Sequence, residues 1–190
     1  MLCLSLFLVF FLDSLKKIAS EISSCKKCAL HYKRNKTVPG EGPPNANIFF
    51  IGEAPGRDED ETGKPFIGRA GKLLTKALEK AGIDRKKVFI TSIAKCRPPK
   101  NRKPRKKEAG SCMPYLLRQI GCVSPEVIVL LGNSAAHAFL KKTGVAELRG
   151  NFFSAGGKNF FVTFHPAACL YNSSLMPLLV NDLKKLKKFA

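Results

Sequence analysis

The sequence predicts a three-layer α/β/α fold built on a mainly parallel central sheet. Three observations carry that reading. Short apolar runs read as strands buried on both faces. Between them lie stretches with apolar residues at helical spacing, several with glycine at their ends. Strand and helix alternate along the chain, the pattern of stacked βαβ units.

The elements follow in order. Ser14 to Ser23 places Leu15, Ile18, Ala19 and Ile22 on one helical face, with Asp13 or Ser14 as the cap. A polar stretch rich in Gly, Pro and Asn then runs through Pro44. Ile48 to Ile51 is a buried strand closed by Gly52, followed by a loop rich in glycine and acids. Arg69 to Ala81 is a helix carrying Leu73, Leu74, Ala77 and Leu78, stopped by Gly82. Val88 to Ile93 is a second strand, and Glu108 to Ile120 a helix stopped by Gly121. Val127 to Leu131 is a third strand, Asn133 to Lys142 a helix, and Phe160 to Phe164 a fourth strand. Leu175 to Phe189 reads as a basic amphipathic helix whose first turn is limited by Pro177. Sheets of this kind place their sites just beyond the carboxyl ends of the strands. Here those ends are Gly52-Glu53, Ser92 to Cys96, Gly132-Asn133 and Phe164-His165.

Composition narrows the partners. The chain has 190 residues, with 33 Lys and Arg against 14 Asp and Glu, a formal charge of +19. That balance calls for a polyanion, with nucleic acid ahead of anionic membrane, and disfavours an enzyme for small neutral metabolites. A hydrophobic fraction of 45% with 25% charged residues fits one globular domain over 14–190 and argues against disorder. Met1 to Leu12 is almost wholly apolar, yet shorter than the ~20 residues that span a bilayer and without the basic start of a secretory signal. Residues 1–13 are therefore expected to be an apolar extension or a helix start, with no membrane partner.

The chemistry-bearing residues gather at the strand ends. Five of the 14 acids lie between Glu53 and Glu61, in a turn shaped by Gly52, Pro55 and Gly56. Acids there suit activation of water better than phosphate binding, with a solvated acidic loop as the plain alternative. The phosphate-binding pattern G-x-x-x-x-G-K-[ST] is missing. Phe66, between Pro65 and Ile67, could stack on a base, although packing into the core is the commoner fate of such a ring. His165 precedes Pro166, which holds it in extended geometry at the sheet edge. A lone histidine is more often structural, but from this position it could donate a hydrogen bond to a leaving group.

Of seven cysteines, Cys25 and Cys28 are spaced C-x-x-C and, with Cys96 and Cys112, offer four thiolates, enough for zinc or a [4Fe–4S] cluster. Cys3, Cys122 and Cys169 sit among apolar residues and read as packing thiols. Beginning one residue before Cys96 and running towards Cys112, the stretch Lys95 to Lys107 holds eight Lys/Arg, no acid and three prolines. It reads as a basic loop pinned by the flanking cysteines, with Lys103, Arg105 and Lys106 as candidate phosphate contacts. A solvated flexible loop is the alternative.

Taken in order, C-x-x-C, G-E-A-P-G, T-G-K-P-F-I-G-R-A-G, K-C-R-P-P-x-N-R and F-H-P-A resemble the family 4 uracil-DNA glycosylases, the iron–sulfur type of archaea and thermophilic bacteria. The match runs from about Leu15 to the C-terminus. The resemblance implies a uracil-DNA glycosylase-like fold, a [4Fe–4S] cluster on Cys25, Cys28, Cys96 and Cys112, and hydrolysis of the bond between uracil and deoxyribose. It implies His165 near uracil O2, Glu53 on the water, Phe66 stacked on the flipped base and Glu59 near uracil C5. Backbone N–H groups around Gly52 and Ala54 would complete the pocket. Uracil-containing DNA is the implied partner of a cytoplasmic, nucleoid-associated monomer, and a sliding clamp is a further candidate. A non-catalytic iron–sulfur or zinc nucleic-acid module and a redox protein are the rival readings.

Two departures stand out. The family commonly carries Asn in T-N-I-V-K-C, where this chain has Ser92, and a hydroxyl makes one contact to a base edge where an amide makes two. The family often reads H-P-A-Y-L-L, with an apolar wedge four residues after His. Here Cys169 takes that place, leaving Leu170 or Tyr171 to wedge the duplex.

Overall fold

Strands β1 (Ile48–Gly52), β2 (Phe89–Ser92), β3 (Val127–Leu131), β4 (Phe152–Ala155) and β5 (Lys158–Thr163) form one sheet in the order β2-β1-β3-β5-β4. The computed structural model describes residues 14–190; the expectations for residues 1–13, including Cys3 and a cap at Asp13, lie outside the described residues. Four strands are parallel, and only β4 runs against its neighbour β5.

The apolar strands have no polar face because both faces are covered. Ile48, Phe50, Val127, Val129 and Phe161 point to one side, where they meet α3 (Arg69–Ala81) and α8 (Leu175–Lys184). Phe49, Ile51, Ile128, Leu130, Phe160 and Val162 point to the other, against α4 (Lys106–Val123) and α5 (Gly132–Leu140). This two-residue alternation makes the three layers. Outside them, α1 (Leu15–Ser23) lays Ile18 and Ile22 on Tyr115 of α4, with Cys122 packed alongside. Ser14 caps α1 by accepting from the Lys17 N–H at 3.1 Å. Cys169 is buried in the first core layer, as its surroundings predict. No helix among the described residues is long and apolar enough to cross a membrane.

Several expectations need correction. The acid-rich stretch expected as a loop is a short helix, α2 (Arg57–Thr62), because Asp58, Glu59 and Asp60 complement its N-terminus and Gly63 closes it at φ 80°. α4 begins at Lys106 and passes Gly121 to Val123, since Ile120 and Val123 both bury. It ends where Ser124 turns left-handed at φ 47° ahead of Pro125. The C-terminal helix stops at Lys184, followed by a 3₁₀ turn over Lys187–Phe189. Strand β4, Phe-Phe-Ser-Ala, has only a two-residue apolar run, and its residues alternate between exposed and half-buried as an edge strand's do. Its pairing of Ala155 with Lys158 leaves Gly156 and Gly157, both at positive φ, as a two-residue hairpin turn. Two further short helices, α6 (Val145–Leu148) and α7 (Ala168–Tyr171), also escape the periodicity argument because each is a single turn.

One contact fixes how α3 meets the strand ends. Phe66, just before that helix, adopts φ 50°, an unusual value for a bulky residue. Its carbonyl lies against Gly71 in the first turn of α3, where an ideal Cβ would stand 1.9 Å from Phe66 O. Gly71→Ala is accordingly expected to cost about 1–3 kcal/mol in urea unfolding. Gly110→Ala, at an exposed helical position with nothing within 4 Å, should be neutral or stabilising. Equal effects at the two positions would contradict the packing described.

Candidate active site

A cleft of about 390 Å³ opens at the carboxyl edge of the sheet, large enough for a nucleobase and part of its sugar. Its lining includes Glu53, Ala54, Glu59, Phe66, Ser92, His165, Leu170 and Tyr171. These residues come from the ends of β1, β2 and β5 and from the segments that follow them, so parallel strand order alone gathers them.

Each side chain is held by identifiable partners. Glu53 leaves β1 directly, and the Ser134 hydroxyl donates to its Oε2. His165 sits where the chain leaves β5; the residue as a whole is half-buried, its imidazole is desolvated within the cleft, and its Nδ1 accepts from the Ala167 N–H at 3.2 Å. With Nδ1 engaged as an acceptor, that hydrogen-bond pattern assigns the imidazole proton to Nε2. Nε2 faces Gly52, about where a side chain would begin: an ideal Cβ there would stand 3.4 Å from it. Burial lowers the His165 pKa from 6.5 to about 4, so the ring is neutral near pH 7 and acts as a hydrogen-bond donor.

Phe66 is buried, its ring 5.6 Å from that of His165. The ring also occupies the space over Gly52, where a Cβ would lie 2.5 Å from Phe66 Cζ. Glycine at the end of β1 is thus what admits both aromatic rings to the cleft floor. Glu59 does not hang free in the cleft. Its Oε2 accepts from Gly56 N at 3.0 Å, and its Oε1 accepts from Ile67 N at 3.0 Å and Gly68 N at 2.8 Å. It works as a latch that ties α2 to the corner after Phe66.

The acid cluster does not converge on the cleft as a set. Asp60 is buried and accepts from the Asn35 backbone and side chain, while Glu61 pairs with Arg57. Ser92 is buried at the end of β2. Leu170 and Tyr171 flank the mouth, and Tyr171 is 92% exposed.

The basic stretch divides in two. Lys95 is fully buried and donates to Thr91 Oγ1 at 2.6 Å and Gln119 Oε1 at 2.8 Å, so it takes no part in a basic surface. Burial lowers its pKa to about 7. Arg102 is bound in a two-pronged ion pair by Glu108, at 2.8 and 2.7 Å. Lys103, Arg105 and Lys106 are exposed, close in sequence to the Arg102 and Asn101 that line the cleft. Lys106 and Lys107 belong to α4, which shortens the expected loop.

Cys25, Cys28, Cys96 and Cys112 line a single second cavity together with Lys27, His31, Arg34 and Lys95. Arg34 donates to Cys96 Sγ at 3.4 Å and to Cys25 O at 2.7 Å. Burial raises the Cys112 pKa to about 11. Among the described residues, no three His, Cys, Asp or Glu side chains stand in metal-ligating geometry. The structure brings the four thiols to one cavity but not to one point.

Two residues of the site carry no sequence signal. Ser134 reaches Glu53 across 81 positions, and Arg85 donates to the carbonyls of Pro65 and Phe66 from 20 and 19 positions away. Nothing in local spacing foretells either pairing.

Comparison with known proteins gives a consistent picture. The model of the family described as Uracil DNA glycosylase superfamily matches residues 39–188. A Type-4 uracil-DNA glycosylase of Sulfurisphaera tokodaii is 46% identical over 189 residues, covering 94% of this chain and 86% of the relative. Type-4 uracil-DNA glycosylases of Thermotoga maritima and Archaeoglobus fulgidus are each 44% identical. They cover 93% and 92% of this chain and 95% and 92% of their own lengths.

The buried imidazole has a measurable consequence. Because its folded pKa lies below the unfolded value, the neutral ring stabilises the fold fully above pH 6.5, and that stability is lost as pH falls towards 4. The charged groups sharing the cleft are Glu53, Arg57, Asp58, Glu59, Arg69 and Arg102. They remain in His165→Gln, so subtracting the variant's curve isolates the ring. Urea unfolding across this pH range should show the wild type losing up to about 3 kcal/mol more than the variant. Parallel curves would contradict a buried neutral ring.

Proposed function

Because the chain belongs to the uracil DNA glycosylase superfamily, we propose a residue-level account of how it hydrolyses the N-glycosidic bond of uracil in DNA and leaves an abasic site. The observation that carries the account is that His165 shares one cleft with Glu53 and Phe66 while its Nδ1 accepts from the Ala167 N–H, an arrangement that leaves the proton of the neutral ring to Nε2.

The target atom C1′ is unreachable inside a stacked duplex, so the nucleotide must leave the helix first. Tyr171 and Leu170 at the mouth supply apolar surface for the vacated stack, with Tyr171 standing further into solvent. Lys103, Arg105 and Lys106 contact phosphates, which gives binding without sequence preference. The flipped base stacks on Phe66. The Ser92 hydroxyl makes a single contact to its edge. Glu59 bounds the C5 side through the loop it holds, and backbone N–H groups near Gly52 and Ala54 meet the remaining acceptors.

As the glycosidic bond breaks, its electron pair leaves with uracil, and positive charge builds on the sugar. Nε2–H of His165 donates to the developing charge at uracil O2. A neutral donor serves this role without needing to be protonated at pH 7. Glu53 stabilises the cationic sugar, orients the water that adds to C1′ and accepts the proton that water loses, with Ser134 holding one carboxylate oxygen and the other left for water.

Cys25, Cys28, Cys96 and Cys112 would hold a [4Fe–4S] cluster. Four thiols around one cavity, bordered by Lys27, Arg34 and Lys95, fit the donor set and the negative charge of such a group. When bound, it would cross-link the segment after α1, the segment after β2 and α4, a structural service. The protein acts as a monomer in this account.

Two experiments test the account. Incubated with uracil- and thymine-containing oligonucleotides, the protein should cleave only the former after alkali. Glu53→Gln and His165→Ala should each lose on the order of 10²-fold or more in rate while still binding DNA. Full activity in both variants would remove the assignment, and an inert wild type that binds DNA would favour a binding module. For the cluster, the purified protein should be brown and contain iron and sulfide, and Cys112→Ser should lose the visible absorption. Zinc in place of iron would contradict it.

A further inference from the structure

Arg85 makes three polar contacts, all with uncharged oxygens. From the 3₁₀ turn Arg85–Lys87, Nη2 donates to the carbonyls of Pro65 and Phe66, each at 3.0 Å, and Nη1 donates to Thr75 Oγ1 at 3.0 Å. The Thr75 hydroxyl in turn donates to Gly71 O at 3.1 Å. One guanidinium therefore ties both sides of the close contact between Phe66 and Gly71. Burial lowers its pKa, with only the more distant charge of Glu41 opposing the shift.

A partly buried cation satisfied by carbonyls rather than by a carboxylate is a costly arrangement to keep for cohesion alone. Its geometry is specific. Phe66 is left-handed at φ 50°, and relaxation to an ordinary conformation would swing its carbonyl away from Arg85 and its ring off Gly52. Hydrogen bonds from a charged donor to that carbonyl oppose the relaxation. The planar fork reaches the two carbonyls through Nη2 and the hydroxyl through Nη1, a spread of donors over two nitrogens in one plane that the single nitrogen of an ammonium does not offer.

We propose that Arg85 is a positioning residue that locks the Phe66 ring in place as the stacking face of the base pocket. This rests on the reading of Phe66 as that face. Arg85 does not touch the base, and its effect passes through the backbone of Phe66.

The test uses a reporter that does not depend on activity. The chain has no tryptophan, so Phe66→Trp introduces a single indole at the corner. Adding Arg85→Met should shift its emission to the red and raise its quenching by iodide. In the otherwise native chain, Arg85→Met should slow single-turnover uracil excision on the order of 10- to 100-fold, with binding to abasic-site DNA unchanged. Combined with Phe66→Ala, the loss should not multiply, because both changes disable one element. Arg85→Lys, which keeps the charge without the fork, should act in the same direction and covers the case in which Arg85→Met does not fold. Unchanged indole emission together with losses that multiply would overturn the proposal. A wild type that excises nothing would instead remove the glycosylase reading and leave the indole result to decide the role of Arg85.

Discussion

Two absent side chains govern the shape of the cleft. Gly52 ends β1 without a Cβ, and the Phe66 ring and the His165 imidazole fill the space that a side chain would take. Gly71, also without one, receives the Phe66 carbonyl. Between them Phe66 is held left-handed, with Glu59 accepting from the next two amides and Arg85 donating to its carbonyl. A strained conformation in a bulky residue persists only where its surroundings over-determine it. Here four groups do so, and the outcome is an aromatic floor placed beside a neutral histidine.

The charge of +19 acquires a structural meaning from where the acids go. Glu108 holds Arg102, Asp182 holds Arg149, Glu21 holds Arg118, and Asp60 holds Asn35. Glu59 is spent on backbone amides. Much of the carboxylate complement is thus used internally to fix segments, while residues such as Lys103, Arg105 and Lys106 stay in solvent. Glu53 faces the cleft from the end of β1, and Asp58 lines it from α2. That division suits a protein whose outer surface meets a polyanion while one carboxylate works inside.

The sheet is legible in the sequence because a strand buried on both faces must be apolar throughout, as Val127–Leu131 is. The cleft is legible for the same reason: strand ends in a parallel sheet share one edge, so Glu53, Ser92 and His165 had to meet. Cys25 and Cys28 stand out by their C-x-x-C spacing, while the widely spaced Cys96 and Cys112 join them only by company and by the family resemblance. What the chain hides is of two kinds. Strand β4 and helix α2 are short, and each depends on its ends, Gly156-Gly157 and Gly63, more than on an apolar period. Arg85, Ser134 and the buried Lys95 are polar residues whose partners are set by tertiary packing, and no local pattern marks a cation for the interior.

The central claim is that uracil sits between Phe66 and the proton-bearing Nε2 of His165. A crystal structure with free uracil soaked into the protein tests it most directly. The account predicts the ring stacked on Phe66, with O2 at about 2.7–3.1 Å from His165 Nε2. Uracil lodged outside this cleft, or facing a His165 turned so that Nδ1 meets it, would contradict the account.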